Sequence, residues 1–322
     1  MSASKNMTAP SKTPAKKSKI KEVLRDMRIS YQLYILVALP LIWLIIWRYI
    51  PMYGAQIAFR RFRAVDGIWG SQWVGFDQFI RFFNHHMFWT VIRNTLHISI
   101  YQLIAGFPFP VILALMLNNC LRARYKKTAQ MVTYMPFFIS VVVMVGIVIQ
   151  FLSPHVGVVN HVIRAMGGTA RDFMAEPSLF ASIFVWSIIW QNTGFNTVVY
   201  LAALAGVDNP LHESAMIDGA SRFKRMLYID LRAIMPTMAV LLILNAGQLM
   251  NVGFERAFLM QNNLNRQASE VISIFVFRIG LGSPAADFSL ASAIGLFNSV
   301  INMILILLVN HAAKKFGSRG LW

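Results

Sequence analysis

Six long runs of apolar residues divide the chain, and shorter polar or mixed segments separate them. They occupy residues 31–50, 90–117, 128–152, 178–206, 233–253 and 290–311. A helix needs about 20 apolar residues to cross the roughly 30 Å hydrocarbon core of a bilayer, and each run reaches that length. The pattern predicts an all-α, polytopic integral membrane protein with about six transmembrane helices.

These runs also predict how the chain is organised. The first run has the position of a secretory signal peptide, but it exceeds a typical apolar region of about 7–15 residues and lacks a small-residue cleavage site. It therefore predicts an uncleaved first span, and the first half of the tail before it is expected to be disordered. The predicted parts are a basic tail (1–28), the first helix with a long outer loop (29–89), a five-helix core (90–311) and a C-terminal tail (312–322).

Side-chain amides interrupt two of the apolar runs. Gln191, Asn192 and Asn196 lie near the middle of the 178–206 run, and Asn245, Gln248 and Asn251 fall near one helical face of the 233–253 run. Amides in lipid bond to neighbouring helices, or they line a wet path for a polar, uncharged substrate; the pattern leaves both interpretations open. None of the 13 carboxylates lies in the six predicted spans, which argues against a proton-coupled carrier.

One polar segment between spans has helical signals of its own. Residues 207–236 read VDNPLHESAMIDGASRFKRMLYIDLRAIMP. Asn209 can cap a helix, Pro210 suits its first turn, and Gly219 suits a left-handed stop. These signals predict a helix of about nine residues, near 14 Å long, which is too short to span. Such a helix lies on the membrane or docks into a partner, and composition does not choose between the two.

Composition and charge exclude several classes. Of the 322 residues 57% are hydrophobic and 13% charged, whereas a soluble domain has about a quarter charged residues. The net charge of +17 comes from cations at the ends of apolar runs rather than from one patch, which argues against nucleic-acid binding. In a six-span chain the two tails and every second loop lie on the same side of the membrane. Those segments contain 19 of the 30 Lys and Arg, and the loops on the opposite side contain nine. The positive-inside rule then predicts two cytoplasmic termini.

The sequence offers no covalent chemistry. Cys120 is the only cysteine, so an intrachain disulfide is excluded, and the pair His85-His86 has no third ligand at metal-site spacing. The phosphate-cradling loop GxxxxGK[ST] requires a Gly-Lys pair, which the sequence lacks. We therefore expect no enzyme activity, metal or cofactor in this chain, and any ATP must be handled by another chain.

The 207–236 segment resembles a known motif. Glu213-Ser214-Ala215-x-x-Asp218-Gly219-Ala220, followed by Ile229-x-Leu231 and Pro236, is similar to the EAA loop of permease subunits of binding-protein-dependent type I ABC importers. The resemblance implies a coupling helix, within a coupling loop at 207–232, that sits in a cleft of an ATPase subunit. Glu213 would orient that helix, Gly219 would permit the following turn, and Asp218 would cap or pair locally.

Two positions depart from the family pattern. Ser214 replaces the usual first alanine of the motif, which is a small change. Arg232 stands where the family often has proline, so Pro236 is the only break left. The start of the fifth span is therefore expected to shift by about a turn.

Flanking segments resemble the branch of that family that carries oligosaccharides and complex sugars, alginate-type oligomers among them. They include Tyr49–Gly54, Trp73–Gly75, Tyr200–Leu204, Gly253–Glu255 and Gly295–Asn302. The resemblance implies a bacterial inner membrane location, a second homologous permease subunit and two ATPase subunits that use ATP and Mg²⁺. It also implies an extracytoplasmic solute-binding protein and a saccharide substrate.

Within this resemblance, amides, a carboxylate and an aromatic face are candidates for the sugar path, because hydroxyl-rich ligands are bound by such groups. The candidates are Trp190, Gln191, Asn192, Asn196, Asn245, Gln248, Asn251 and Glu255. A stand-alone secondary carrier is the alternative, but it predicts inverted repeats and midplane ion ligands. A membrane enzyme or assembly factor would need a polar catalytic cluster or a large soluble domain. The sequence has no clear sign of either.

Overall fold

The computed structural model describes residues 27–282 and 286–315. The predicted basic tail up to residue 26 and the last seven residues of the C-terminal tail lie outside the described residues. The chain forms two compact units that divide between Gln56 and Ile57. The first contains helix α1 (Tyr31–Leu44), which continues through a wide π-helical turn (Ile45–Tyr49) into α2 (Ile50–Met52).

The second unit is almost entirely helical. A short 3-10 segment, Tyr53–Phe59, leads to its one described sheet, in which β1 (Arg60–Arg63) pairs antiparallel with β2 (Ser71–Trp73). The helices of the first half are α3 (Gly67–Gly70), α4 (Asp77–Phe83), α5 (Phe88–Gly106), α6 (Pro108–Asn118), α7 (Ala123–Tyr134), the 3-10 turn Met135–Phe138, α8 (Val141–Leu152) and α9 (Val158–Ala165). Those of the second half are α10 (Pro177–Leu204), α11 (Asn209–Ile217), α12 (Arg222–Arg225), the π-helical turn Met226–Asp230, α13 (Leu231–Ala246), α14 (Phe254–Met260), α15 (Arg266–Ser269), α16 (Ile272–Gly280) and α17 (Phe288–Lys315).

Four described helical stretches are long and apolar enough to cross a membrane. They are Tyr31–Phe59, Phe88–Asn118, Arg222–Ala246 and Phe288–Lys315. A fifth candidate is the pair Ala123–Phe138 and Val141–Leu152, which is bent by 101°. The bend falls where the chain leaves the helix after Pro136, and Ser140 then caps α8 by accepting a hydrogen bond from the Val143 N–H.

The predicted 178–206 span forms one helix, α10, of 28 residues. At 1.5 Å per residue it is about 42 Å long, which is more than a bilayer core requires. It is nevertheless less apolar than the four stretches named above, because its central amides, among them Gln191, Asn192 and Asn196, lower its mean hydropathy. The prediction of a long helix is confirmed, and its middle is more polar than the other spans.

The fifth predicted span, 233–253, has different limits in the structure. The helix begins at Arg222, where Ser221 caps it by accepting a hydrogen bond from the Lys224 N–H, and it continues to Ala246. Arg232 retains the backbone N–H that a proline would lack, so the helix runs through this position and starts about three turns earlier than predicted. Asp230 therefore lies inside a span-length helix, and the expectation that no carboxylate does so is wrong.

Three apolar clusters hold the second unit together. One of them joins α6, α10 and α13 near the coupling loop through Leu115, Tyr200, Leu204 and Ile234. A second packs α5 and α10 against residues 252–274, and a third packs α4, α5 and α16 against α17. These clusters fix the membrane helices around the two regions described next.

Candidate functional site

The EAA-like motif forms a short isolated helix, α11, as predicted. The helix runs over Asn209–Ile217, so Asn209 is its first residue rather than its cap, and Asp208 occupies the N-cap position. At the other end Gly219 has φ +75° and donates its N–H to the Met216 carbonyl at 3.0 Å. The Ala220 N–H bonds to the Ala215 carbonyl at 2.8 Å. These two hydrogen bonds form a Schellman motif at the helix C-terminus, whose left-handed residue is usually glycine.

The motif residues share one exposed segment. Glu213, Ser214, Asp218 and Gly219 are exposed, whereas Ala215 and Ala220 are half-buried. Large apolar side chains lie beside them in solvent, and the exposed fraction of Ile217 reaches 87%. A nine-residue helix that exposes charged and apolar groups together has the character of a docking element.

The inner side of α11 carries a contact that sequence reasoning missed. His212 Nε2 lies 3.1 Å from Oδ1 of Asp230, whose side chain is 1% exposed. The Nδ2 of Asn119 donates to the other carboxylate oxygen of Asp230 at 3.0 Å. One buried carboxylate thus contacts both α11 and the residue that follows α6. The only signal in the sequence was a lone carboxylate next to an apolar run.

A cavity of about 260 Å³, lined by both polar and apolar side chains, lies between the membrane helices α5, α10 and α13. Five of the predicted pathway residues line it: Asn192, Asn196, Asn245, Gln248 and Asn251. The structure therefore brings together amides that are up to 59 positions apart in the sequence. No acidic or basic side chain is among the lining residues, so the cavity offers uncharged donors and acceptors.

Other polar residues of the cavity were not predicted. Ser99, Gln102, Thr193 and Tyr200 also line it, and the Ser99 hydroxyl is buried without a hydrogen-bond partner among the described residues. An unsatisfied buried hydroxyl is available to a ligand hydroxyl. The spacing of Ser99, Gln102 and Gly106 along one face of α5 is the periodic signal that could have identified this wall.

Three predicted pathway residues do not line the cavity. Trp190 is 54% exposed, and Glu255 is exposed at the start of α14. Gln191 is buried, donates to the Ile139 carbonyl at 2.7 Å and accepts a hydrogen bond from Arg256. It thereby satisfies a backbone carbonyl at the bend between α7 and α8, which is a packing role.

Arg256 is held within the same buried network. Its guanidinium donates to the Ser187 hydroxyl at 2.8 Å as well as to Gln191. Burial lowers the pKa of Arg256, and the charge of the neighbouring Glu255 opposes that effect. The group is therefore a buried cation whose neutral partners all come from α10.

Amides also join helices, as the other interpretation of the pattern proposed. Asn251 donates to Gln248 at 2.7 Å and accepts from Asn298 of α17 at 3.0 Å. The Met250 N–H bonds to Asn302 at 3.0 Å. Gln248 and Asn251 thus both line the cavity, and Asn251 also joins the segment after α13 to α17.

Comparison with known proteins gives consistent matches over most of the chain. Residues 106–318 match the family described as "Binding-protein-dependent transport system inner membrane component". Protein LplB of Bacillus subtilis (strain 168) is 41% identical over 290 residues, covering 90% of this chain and 91% of that protein. The polygalacturonan/rhamnogalacturonan transport system permease protein YteP of the same organism is 36% identical over 321 residues, covering 98% and 99%.

A solved structure is similar over the same extent. It is the crystal structure of bacterial alginate ABC transporter in complex with alginate pentasaccharide-bound periplasmic protein. One of its chains superposes with a TM-score of 0.84 at 36% identity, and the match covers 92% of this chain and 99% of that chain. The likeness therefore includes nearly all the described helices rather than one motif.

Proposed function

The chain belongs to the family of binding-protein-dependent transport system inner membrane components, and we propose that it forms half of the membrane pathway of an ATP-driven oligosaccharide importer. It is a permease subunit of an ABC transporter and not an enzyme, since ATP hydrolysis belongs to a separate subunit. The other half of the pathway is a second, homologous permease subunit. Two ATPase subunits complete the complex on the cytoplasmic side, where they bind ATP and Mg²⁺.

The observation that carries this proposal is the exposed helix α11. Glu213 and the apolar Ile217 are both in solvent, on a helix too short to cross a membrane. In the proposed complex this helix docks into an ATPase subunit, with Glu213 orienting it and Gly219 allowing the chain to turn back. Six residues form the contact: Glu213, Ser214, Ala215, Asp218, Gly219 and Ala220.

The amide-lined cavity supports a saccharide as the substrate. Hydroxyl groups are both donors and acceptors, and side-chain amides match them with both. The relative YteP is named for polygalacturonan/rhamnogalacturonan transport, and the similar solved structure is that of an alginate transporter. Both names support an oligosaccharide as the substrate of this chain. The cavity lining is uncharged, so its amides can donate hydrogen bonds to sugar hydroxyls and accept hydrogen bonds from them.

The proposed topology follows from the distribution of charge. The chain is a multi-pass protein of the inner membrane. Both termini and the coupling loop are cytoplasmic because 19 of 30 cations lie on that face. The loops 51–89, 153–177 and 254–289 then face outward, where a solute-binding protein delivers the saccharide.

ATPase measurements on the reconstituted complex test the proposal. The chain is purified with its co-assembling subunits, placed in liposomes with the binding protein, and assayed with acidic and neutral oligosaccharides. We expect one saccharide class to stimulate ATP hydrolysis and Glu213→Lys to abolish the stimulation. Glu213→Gln, which keeps the side-chain length, separates the role of charge from that of shape.

The alternative function makes the opposite prediction. A stand-alone secondary carrier would purify without an ATPase and would accumulate solute in response to an ion gradient. Gradient-driven uptake by the purified chain alone would overturn the importer proposal. Uptake that requires ATP and the binding protein supports it.

A further inference from the structure

The burial of Asp230 requires an explanation that the docking role of α11 does not supply. Its side chain is 1% exposed, and the next residue, Leu231, packs against the apolar cluster that contains Leu115 and Ile234. Taking a carboxylate out of water costs several kcal/mol unless partners compensate its charge. Asp230 also ends the π-helical turn Met226–Asp230, a wide turn of the type that often occurs at functional positions.

The two partners of Asp230 come from two other segments of the chain. Asn119 follows α6 and donates to both Asp230 Oδ2 and the Leu115 carbonyl, each at 3.0 Å. His212, on α11, lies 3.1 Å from Oδ1, which accepts no well-aligned hydrogen bond among the described residues. The carboxylate therefore connects α11, the residue that follows α6 and the π-helical turn that leads into α13.

The rest of α11 is attached weakly. Among the hydrogen bonds and ion pairs of the described residues, His212–Asp230 is the one contact that joins α11 to another helix. The remaining bonds of α11 are local, such as that of Ser214 to the Leu211 carbonyl at 3.1 Å. If a docked subunit moves α11, the His212–Asp230 contact is therefore the one polar contact through which the membrane helices can be moved as well.

From this arrangement we infer that Asp230 is a positioning residue, which through His212 transmits movement of the coupling helix to α6 and α13. The inference rests on the proposed function and adds a route that the EAA-like motif does not contain. Asn245 of α13 lines the cavity, and so do Phe107 and Pro110 at the start of α6. A shift of the Asp230 carboxylate therefore moves two walls of the cavity.

The test uses the whole importer in liposomes and measures saccharide uptake per ATP hydrolysed. His212→Ala should assemble normally but lower that ratio by about fivefold or more, the lower end of typical coupling energies. His212→Gln should restore much of the ratio because its amide N–H can donate to the carboxylate. His155→Ala is the control, since His155 is exposed in the predicted outer loop 153–177, and it should match the wild type.

A double-mutant cycle separates transmission from simple stabilisation. If Asp230 acts through His212, His212→Ala/Asp230→Asn should lose no more coupling than His212→Ala alone. Additive losses, or an unchanged uptake ratio in His212→Ala, would overturn the inference. Should Asp230→Asn not accumulate in membranes, Asn119→Leu takes its place in the cycle because it removes the other partner of the carboxylate.

Failure of this inference is distinguishable from failure of the proposed function. If no ATPase co-purifies with the wild-type chain, the importer proposal itself is wrong. If the ATPase co-purifies and Glu213→Lys uncouples it while His212→Ala does not, the importer proposal stands and only the Asp230 route is wrong.

Discussion

Gly194 of α10 lies directly against the backbone of Thr133 in α7. A Cβ atom added at Gly194 would overlap the carbonyl carbon and oxygen of Thr133 and come within 2.9 Å of the Tyr134 nitrogen. The rings of Phe137 and Phe195 stack next to this contact with centroids 3.8 Å apart. Only a glycine allows the two helices to approach this closely.

Gly194→Ala should therefore destabilise the protein. The clashing atoms belong to the backbone and cannot rotate away, so we expect a cost of roughly 1–3 kcal/mol, as for other overpacked sites. The measurement is the thermal unfolding midpoint in detergent. Gly146→Ala in α8 is the matched control because a Cβ there meets no atom within 4 Å; its midpoint should be unchanged or slightly higher. Equal midpoints for the two variants would contradict the close contact.

Gly219 gives a second prediction, for coupling rather than stability. Proline cannot adopt φ +75° and has no N–H to donate to the Met216 carbonyl. Gly219→Pro should insert into the membrane normally, as should Glu213→Lys, yet both should uncouple ATP hydrolysis from uptake. Gly206→Ala serves as the control. The backbone of Gly206 is not in the left-handed region, and an added Cβ would make only an ordinary van der Waals contact, at 3.5 Å from the Ala203 carbonyl oxygen. Full uptake in Gly219→Pro would refute the coupling-helix assignment.

These two glycines show how far sequence reasoning reaches. The stop at Gly219 was predictable because its signals are local: a proline in the first turn and a glycine nine residues later. The role of Gly194 was not, because it depends on which helix lies opposite. The cavity is an intermediate case: five of its amides were predicted, and α5 has a periodic polar face in the sequence, but that this face lines the same cavity depends on helix packing.

The Asp230 contacts could not be predicted for the same reason. Asn119 and Asp230 are 111 positions apart, and the packing of α6, α10 and α13 in one apolar cluster brings them together. The earlier start of the fifth span has a local cause in Arg232, where the usual proline is missing. The sequence indicated that departure, although the helix extends about three turns rather than one.

The cavity amides should affect transport without affecting stability. Asn196→Leu and Asn245→Leu each remove one amide while keeping the number and branching of the side-chain heavy atoms, so a lost hydrogen bond to the saccharide should weaken transport about tenfold. The readout is the KM for the saccharide-loaded binding protein in the reconstituted complex. Gln191→Leu should do the reverse, leaving KM unchanged but lowering the unfolding midpoint, because it removes a partner of buried Arg256. Unchanged KM values in both cavity variants would argue against this route for the sugar.

His85 predicts a pH dependence of stability. The Met87 N–H donates to His85 Nδ1 at 3.1 Å, which requires that nitrogen to be unprotonated. Burial lowers the pKa of His85, and the neighbouring His86 and Arg81 lower it further. The folded protein thus disfavours the charged ring, so its stability is complete above the usual pKa near 6.5 and is lost as the pH falls towards the lowered value.

Unfolding midpoints at pH 7.5 and 5.5 test the predicted direction of this pH dependence. The wild type should lose stability at the lower pH, and His85→Asn should lose less because its side-chain oxygen can accept the Met87 bond without titrating. His155→Asn should follow the wild type, since His155 is exposed. A wild-type midpoint that rises on acidification would show that the His85 environment has the opposite electrostatic effect.

Glu270 leads to the strongest stability prediction. Its carboxylate is fully buried and lies 2.6 Å from Arg278 and 3.5 Å from Arg266, while Gln261 donates to it at 3.3 Å. Arg278→Met would leave this buried charge with a single, more distant cation. Breaking a buried pair from one side costs about 3–5 kcal/mol, and the unfolding midpoint should fall accordingly.

The ion pair of Arg171 with Glu176 is the matched control. It is also short, at 2.9 Å against 2.6 Å, but the Arg171 side chain is 58% exposed, so Arg171→Met should cost less than about 1 kcal/mol. The double variant Arg278→Met/Glu270→Gln should recover part of the loss because no uncompensated charge remains. If Arg278→Met and Arg171→Met were equally mild, the short contact between Arg278 and Glu270 would contribute little to stability, and the predicted outer loop 254–289 would be held by its apolar contacts alone.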